Sequence, residues 1–304
     1  MSKAKIAVIG AGLMGHGIAQ VFALAGHEVT VSDTVMKNLD TLATRIAGNL
    51  RDLGEDESAV ARVRPCIDVA EAVRGVDYVI EAVFEDLTLK QRLFAEIEAH
   101  VSADTILASN TSVIPISSIM AGLKRPERAL GTHWWNPPFL VPLVEVIETE
   151  WTSPEAVAWT MDLHRAAGKQ PAHVKKDVPG FIGNRLQHAL WREAIALVEH
   201  GICDAATVDA VIKASFGRRL AVLGPLENAD LVGTDLTLAV HNVVLPSIDS
   251  RPSASPYLQA LVADGKLGFK SGEGFRKWSQ EEQAALRTKL VAHLKAARDR
   301  ENAK

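Results

Sequence analysis

A chain of 304 residues, 47% hydrophobic and 23% charged, has the length for two domains and for a sizeable core. Its formal net charge of -4 supplies no basic field, so nucleic acid is not an expected partner. Cys66 and Cys203 lie far apart and outside any CxxC or Cys/His spacing; neither a disulfide framework nor a metal site is expected, and a reducing cytoplasm fits. The opening MSKAKIAVIGAG runs straight into an apolar strand without an export-signal pattern, and no apolar run reaches the roughly 20 residues of a membrane span. The expectation is a soluble, cytoplasmic chain without a membrane partner.

Residues 5–33, KIAVIGAGLMGHGIAQVFALAGHEVTVSD, read as a strand, a glycine-rich turn, an amphipathic helix bearing Ile18, Val21, Phe22 and Leu24, and a second strand ending at an acid. This order is a dinucleotide fingerprint. Gly10 serves the tight bend, Gly12 lets backbone approach a pyrophosphate, and Gly15 lets the helix pack closely on the sheet. The helix start at Leu13 and Met14 presents unpaired N–H groups and a positive dipole end, which suit an anion without a basic side chain. Asp33, eighteen residues past Gly15, is placed to accept both ribose hydroxyls and to repel a 2′-phosphate, so the expected cofactor is NAD rather than NADP.

Further along, Met36 to Leu53 has helical spacing, with Leu39, Leu42, Ile46 and Leu50 on one face, followed by the polar turn GEDES. Strands are predicted over Val76 to Val83, Thr105 to Ala108, Ala129 to His133 and Leu143 to Ile147, and a helix over Leu87 to His100. The alternation implies a doubly wound parallel sheet, an α/β Rossmann domain over residues 1–178. From Pro179 strand patterns stop. Helices are predicted over Ile182 to Glu199, Ala205 to Ala214, Leu226 to Val243, Pro256 to Asp264 and Gln280 to Arg300. Residues 179–304 therefore read as an all-helical substrate-binding domain with a hinge at Asp177 to Gly180, and its apolar helix faces suggest a homodimer.

His133 and Glu145 stand twelve residues apart across the Pro-rich loop WWNPPFLVP, which returns the chain on itself. Brought together, they form an acid/base pair able to take the proton of an alcohol while hydride leaves for NAD. A satisfied core or surface histidine is the competing reading. Ser112 and Asn110 follow a strand end, where open α/β sheets hold ligands, although their local pattern favours a helix cap before Pro115. Asn184, just past the hinge, is placed to reach into a cleft between domains. Arg218, Arg219, Lys175 and Lys176 are candidate carboxylate or phosphate partners, with solvated charge the simpler reading of each.

Five ordered segments, SNTS, GTHWWNPP with PLVEVIE, KKDVPGFIGNRL, GPLENADLVGTD and LGFKSGEGF, make the chain resemble the L-3-hydroxyacyl-CoA dehydrogenase family over nearly its whole length. The resemblance implies an NAD-dependent oxidoreductase oxidising a 3-hydroxyacyl-CoA, with a small-molecule substrate and a place in fatty acid metabolism. It assigns His133 as general base, Glu145 as its paired carboxylate, Ser112 as the hydrogen-bond partner of the reacting oxygen, and Asn184 as a substrate contact. Glu85 and Lys90 match residues near the nicotinamide and its ribose.

The chain also departs from the family pattern. Members acting on CoA esters usually carry a longer helical hairpin between the positions of Asp33 and Asp68, with a lysine near its tip that meets the CoA phosphates. Here the segment is short, has no Lys after Lys37, and turns at Gly54-Glu55-Asp56-Glu57, where carboxylates would repel a phosphorylated tail. Trp134-Trp135 replaces the usual Phe-Phe. Pro137-Pro138 and VKKDVPGF resemble relatives that dehydrogenate small CoA-free substrates, such as a pyridine aldehyde of vitamin B6 breakdown or a hydroxy acid. A reading of another class is a dinucleotide-binding structural protein without activity.

Overall fold

The computed structural model describes residues 3–302. β1 (Lys5–Ile9), β2 (Glu28–Ser32), β3 (Val63–Cys66), β4 (Tyr78–Glu81), β5 (Ile106–Ser109), β6 (Ala129–Trp134), β7 (Leu143–Ile147) and β8 (Gln170–Val174) form one sheet in the order β3-β2-β1-β4-β5-β6-β7-β8. Side chains alternate along β1, with Ile6 and Val8 in one core and Ala7 and Ile9 in the other, as the two-residue strand period requires. Helices α1 (Gly15–Leu24) and α3 (Leu42–Leu53) cover the first face through Ile18, Phe22, Ile46 and Leu50. The other face is covered by α5 (Leu87–Glu98), through Phe94 and Ile97, and α6 (Ile116–Met120).

The expected Rossmann fold is present, with local differences. The sheet is parallel from β3 through β6, but β7 runs antiparallel to β6. Only the loop Trp135 to Pro142 joins them, too short for the crossover helix that a parallel return needs. β8 is parallel to β7, reached through α7 (Pro154–Ala166). The two edge strands, β3 and β8, have no counterpart among the predicted strands, and both contain a proline, Pro65 and Pro171. Proline cannot donate to a ladder, so it weakens a strand pattern and is tolerated at an edge. The helix expected from Met36 to Leu53 breaks at Thr41 into α2 (Met36–Asp40) and α3, yet Leu39, Leu42, Ile46 and Leu50 are all buried as the spacing implies. The small helix α4 (Val69–Ala72), capped by Asp68, completes the sheet unit's first half.

Past the sheet come α8 (Gly183–Glu199), α9 (Ala205–Ala214), α10 (Pro225–Val232), α11 (Thr234–Val244), α12 (Pro256–Ala263) and α13 (Gln280–Asn302). The single helix expected over Leu226 to Val243 is divided at Gly233, whose φ of 99° a helix cannot contain. Compact packing separates the units at Arg185/Leu186 and again at Leu290/Val291. The first turn of α8 and the end of α13 thus belong with the sheet, seven residues beyond the expected boundary at 178 for the former. In the helical unit, Leu186 to Leu290, only Ala196, Ser255, Leu261 and Gln283 are buried, while Leu226, Leu231, Leu238 and Val243 are 79%, 69%, 62% and 76% exposed. Among the described residues no helix is long and apolar enough to cross a membrane.

Candidate active site

The glycine turn is shaped by close contacts. Gly10 has φ 104°, and a Cβ there would lie 2.6 Å from the Ala82 carbonyl oxygen; a Cβ on Gly15 would lie 1.7 Å from that of Gly10. Neither position tolerates a side chain. Gly12 differs, because its Cβ position has nothing within 4 Å, so no protein packing demands a glycine there. Open space beside Gly12, with α1 beginning at Gly15, fits the approach of a pyrophosphate, and Leu13 is 67% exposed at the same place. Among the described residues the backbone N–H groups of Leu13 and Met14 donate to no protein acceptor.

Asp33 follows β2 directly. Its Oδ2 accepts from Ala11 N at 2.7 Å and Asn38 Nδ2 at 3.0 Å, and its Oδ1 accepts from Val35 N at 2.7 Å. An ionised carboxylate has about four acceptor positions, so three internal donors leave room for about one more. The expectation that Asp33 takes both ribose hydroxyls therefore does not fit this arrangement unless a donor is displaced.

At the C-terminal ends of β4 and β5 lies a buried charge network. Glu81 and Lys90 are both 0% exposed, with Lys90 Nζ 2.7 Å from Glu81 Oε1, while Ser109 Oγ and Val83 N also donate to the Glu81 carboxylate at 2.6 Å each. Asp86 caps α5 through Leu89 N and so fixes the helix that delivers Lys90. Lys90 Nζ reaches Glu85 Oε2 at 3.3 Å, and Glu85 Oε1 accepts from Thr111 Oγ1, Ser112 N and Val113 N at 2.6, 2.7 and 3.2 Å. Burial pushes the Glu85 carboxyl up, but the Thr111, Ser112 and Lys90 contacts outweigh it and hold the group below its ordinary range. Lys90, expected beside the nicotinamide ribose, stands behind Glu85 with no exposed surface.

Ser112 does not cap α6. Pro115 occupies the cap position without a side-chain bond, while the local turn is closed by Thr111 Oγ1, which accepts from Ile114 N at 3.1 Å. The exposed Ser112 is instead held through its backbone, by Glu85 at its N–H and by Asn184 Nδ2, 2.9 Å from its carbonyl oxygen. Asn110 Oδ1 accepts from Trp134 N at 2.9 Å and ties the end of β5 to β6.

His133 and Glu145 sit opposite one another in the β6–β7 register. Nδ1 of His133 donates to Glu145 Oε2 at 2.8 Å, which leaves Nε2 for a ligand. The other carboxylate oxygen accepts from Ile182 N at 2.9 Å and Gly183 N at 3.0 Å, at the start of α8. Phe181 makes this possible: its φ of 51°, the left-handed region, turns the chain so that the next two N–H groups face Glu145. Burial pushes the Glu145 carboxyl up, but the bonds from His133, Gly183 and Ile182 prevail and its pKa lies below the ordinary value. Trp135 and Phe181 flank the imidazole, with ring centroids 5.3 and 5.6 Å away.

Several supporting residues carry no sequence signal. Glu81 and Thr111 lie in runs that read only as strand and loop. Lys169 is buried beneath the β6–β7 loop, where its Nζ donates to the carbonyls of Pro138 and Val141 and lies 5.2 Å from the Trp134 ring centre; burial lowers its pKa to about 8.

The expected acidic tip needs correction. Glu57 pairs with Arg51 at 2.7 Å and Glu55 with Arg298 at 3.3 Å, while Asp56 accepts from Ser58 N and Oγ. The carboxylates do not form a bare negative patch; equally, Arg51 and Arg298 are already engaged.

The family model described as 3-hydroxyacyl-CoA dehydrogenase, NAD binding domain, matches residues 5–178, and the one described as 3-hydroxyacyl-CoA dehydrogenase, C-terminal domain, matches residues 180–278. The chain is 37% identical over 298 residues, 96% of each chain, to 5-formyl-3-hydroxy-2-methylpyridine 4-carboxylate 5-dehydrogenase of Mesorhizobium japonicum. It is 36% identical over 290 residues, 90% of each chain, to the mitochondrial hydroxyacyl-coenzyme A dehydrogenase of Homo sapiens. A crystal structure of the pyridine dehydrogenase, described as an NAD+ dependent dismutase, superposes with a TM-score of 0.90 at 36% identity, covering 97% of both chains. That of (S)-3-hydroxybutyryl-CoA dehydrogenase from Ralstonia eutropha gives 0.74 at 31% identity, covering 92% of this chain and all of the other.

The carboxylate of Glu145 has a depressed folded-state pKa, so its contribution to stability is full above the unfolded value of about 4.3 and is lost as pH falls through the lower folded value. Glu145→Gln should therefore be less stable than the parent at pH 7, by at least about 1 kcal/mol, with the gap closing below about pH 4. Urea melts of both proteins across that range provide the check, and a gap that widens on acidification contradicts the assignment.

Proposed function

The chain belongs to the 3-hydroxyacyl-CoA dehydrogenase family and is an NAD-dependent oxidoreductase acting on CH–OH; on that premise we propose that His133 and Glu145 form its acid/base pair and that its substrate is a small CoA-free alcohol or aldehyde hydrate. The observation carrying the first part is the buried 2.8 Å contact between His133 Nδ1 and Glu145 Oε2. It fixes the ring tautomer so that Nε2 is the acceptor. NAD, when bound, supplies the hydride acceptor. His133 takes the hydroxyl proton, and Glu145, kept ionised by two backbone N–H groups, stabilises the imidazolium. Ser112 orients the oxygen through its exposed hydroxyl. Asn184 acts by clamping the Ser112 carbonyl, with Glu85 and Lys90 bracing the same loop behind it. Gly10, Gly12, Leu13, Met14, Gly15, Asp33 and Asn110 are assigned to the coenzyme by their place at the strand ends.

For the substrate, support comes from full-length likeness to the pyridine aldehyde dehydrogenase and from the C-terminal end of α3, where Arg51 and Arg298 are engaged internally by Glu57 and Glu55. An aldehyde hydrate presents the same CH–OH group as an alcohol, so one constellation serves both. A second reading, a 3-hydroxyacyl-CoA, has the family's name and the human relative in its favour. The sparse core of the helical unit supports a homodimer, since exposed leucines and valines at this density need a cover.

His133→Gln should lower kcat by about 10²–10⁴ while NAD affinity stays near that of the parent, and a fully active variant removes the mechanism. A screen following NADH absorbance should find CoA thioesters with high KM and little dependence on salt, and free hydroxy acids or aromatic aldehydes turned over comparably. A low-micromolar KM for a thioester, rising steeply with ionic strength, decides for the CoA reading. Sedimentation velocity should give the mass of two chains, and a 32.8 kDa species at micromolar concentration refutes the dimer.

A further inference from the structure

Arg45 lies on α3, half-buried, with its guanidinium turned onto the glycine turn. Its partners are carbonyls rather than a carboxylate: Nη2 donates to Ala11 O at 2.8 Å and Asn38 O at 2.7 Å, and Nη1 to Gly12 O at 3.5 Å. His16 Nδ1 also contacts Gly12 O, at 2.8 Å, and burial lowers the His16 pKa against the opposing effect of that bond. Burial also lowers the Arg45 pKa, with Asp33 opposing the shift, yet a guanidinium starts high enough to stay charged at neutral pH.

A planar trans peptide directs its C=O and its N–H to opposite sides. A cation against the Ala11 and Gly12 carbonyls therefore stands behind the N–H groups of Gly12 and Leu13 and polarises them away from itself. The positive end of α1 adds to the same sign, and no acidic residue in its first turn opposes it. Asp33, the nearby carboxylate, already receives Ala11 N, Asn38 Nδ2 and Val35 N.

We propose that Arg45 is a further coenzyme-affinity residue, which holds the glycine turn through the Ala11 and Gly12 carbonyls and places a fixed positive charge behind the N–H groups that receive the pyrophosphate. The inference rests on the proposed placement of NAD at this turn. It divides the labour between two side chains: Asp33 acts on the ribose, and Arg45 acts on the phosphates from the far side of the backbone.

Three substitutions separate charge from hydrogen bonding: Arg45→Lys keeps the charge, Arg45→Gln keeps a donor, and Arg45→Met removes both. Each is titrated with NAD, ADP and adenosine by tryptophan fluorescence, alongside Gly12→Val and urea melts without ligand. Arg45→Gln and Arg45→Met should weaken NAD and ADP by about tenfold and leave adenosine, which lacks phosphate, within about twofold, while Arg45→Lys recovers most of the loss. Arg45→Gln binding NAD as the parent does, when Gly12→Val has lost it, overturns the proposal and spares the placement. Equal losses for all three ligands make Arg45 a strut without an electrostatic role and also overturn it. Wild-type NAD binding by Gly12→Val removes the placement and the proposal together.

Discussion

One carboxylate, Glu145 at 1% exposure, sets the conditions that the surrounding structure meets. A buried ionised group is costly unless nearly every lone pair finds a donor. Here three donors come from two places in the chain: the imidazole opposite on β6 and two successive N–H groups before and at the start of α8. The antiparallel turn between β6 and β7 puts the imidazole in register, which a parallel crossover would not do at a separation of twelve residues. The N–H groups require the left-handed backbone at Phe181, an uncommon conformation for a bulky side chain. That strain persists because the Phe181 ring is buried against His133 and because the turn supplies bonds the carboxylate needs.

The same logic recurs on the parallel side of the sheet. Glu81 at the end of β4 is buried and satisfied by Lys90, Ser109 and Val83, and Lys90 passes its second contact to Glu85, which grips the Thr111 to Val113 loop. Ser112 is thus located by a relay of charges from inside the sheet, with Asn184 closing the loop from α8. Two buried carboxylates, one on each side of β5 and β6, position the two loops that face the proposed substrate. Breaking either leaves an uncompensated charge, so these networks bind geometry to folding.

Much of this is legible in the sequence where the constraint is local. The glycine turn is readable because Gly10 takes a left-handed backbone at its own bend and Gly15 answers a steric contact with Gly10, five residues earlier, and the buried stripe of α3 is readable from spacing even though the helix breaks at Thr41. The His133 and Glu145 pair follows from a loop short enough to force a hairpin. Elements decided by distant parts of the chain are not legible. β3 and β8 form only because a sheet edge accepts a strand containing Pro65 or Pro171. Glu81 and Lys90 look like a strand end and a helix surface charge until β5 and α5 enclose them. Asn184 can be placed past the hinge, but its partner, a backbone carbonyl 72 residues earlier, leaves no trace in residue type.

Charge counting along the chain also misjudges the tip after α3. Read in order, Glu55, Asp56 and Glu57 form an acidic run that would repel phosphates. In the fold, α13 returns to this place: Lys295 Nζ donates to Asp52 O and Arg298 to Leu53 O, satisfying carbonyls at the C-terminal end of α3, while Arg298 also pairs with Glu55. Cations at a helix C-terminus meet both the unpaired carbonyls and the negative dipole end. Glu57 is matched by Arg51 from α3 itself. The segment that would have to greet a phosphorylated tail is neutralised by the chain's own residues, and binding phosphate there would mean breaking contacts that close the end of a core helix. Repulsion is therefore not the reason to favour a CoA-free substrate. The stronger reason is that Arg51 and Arg298 at this position already have partners, so a phosphate gains a contact with either only by removing an existing one.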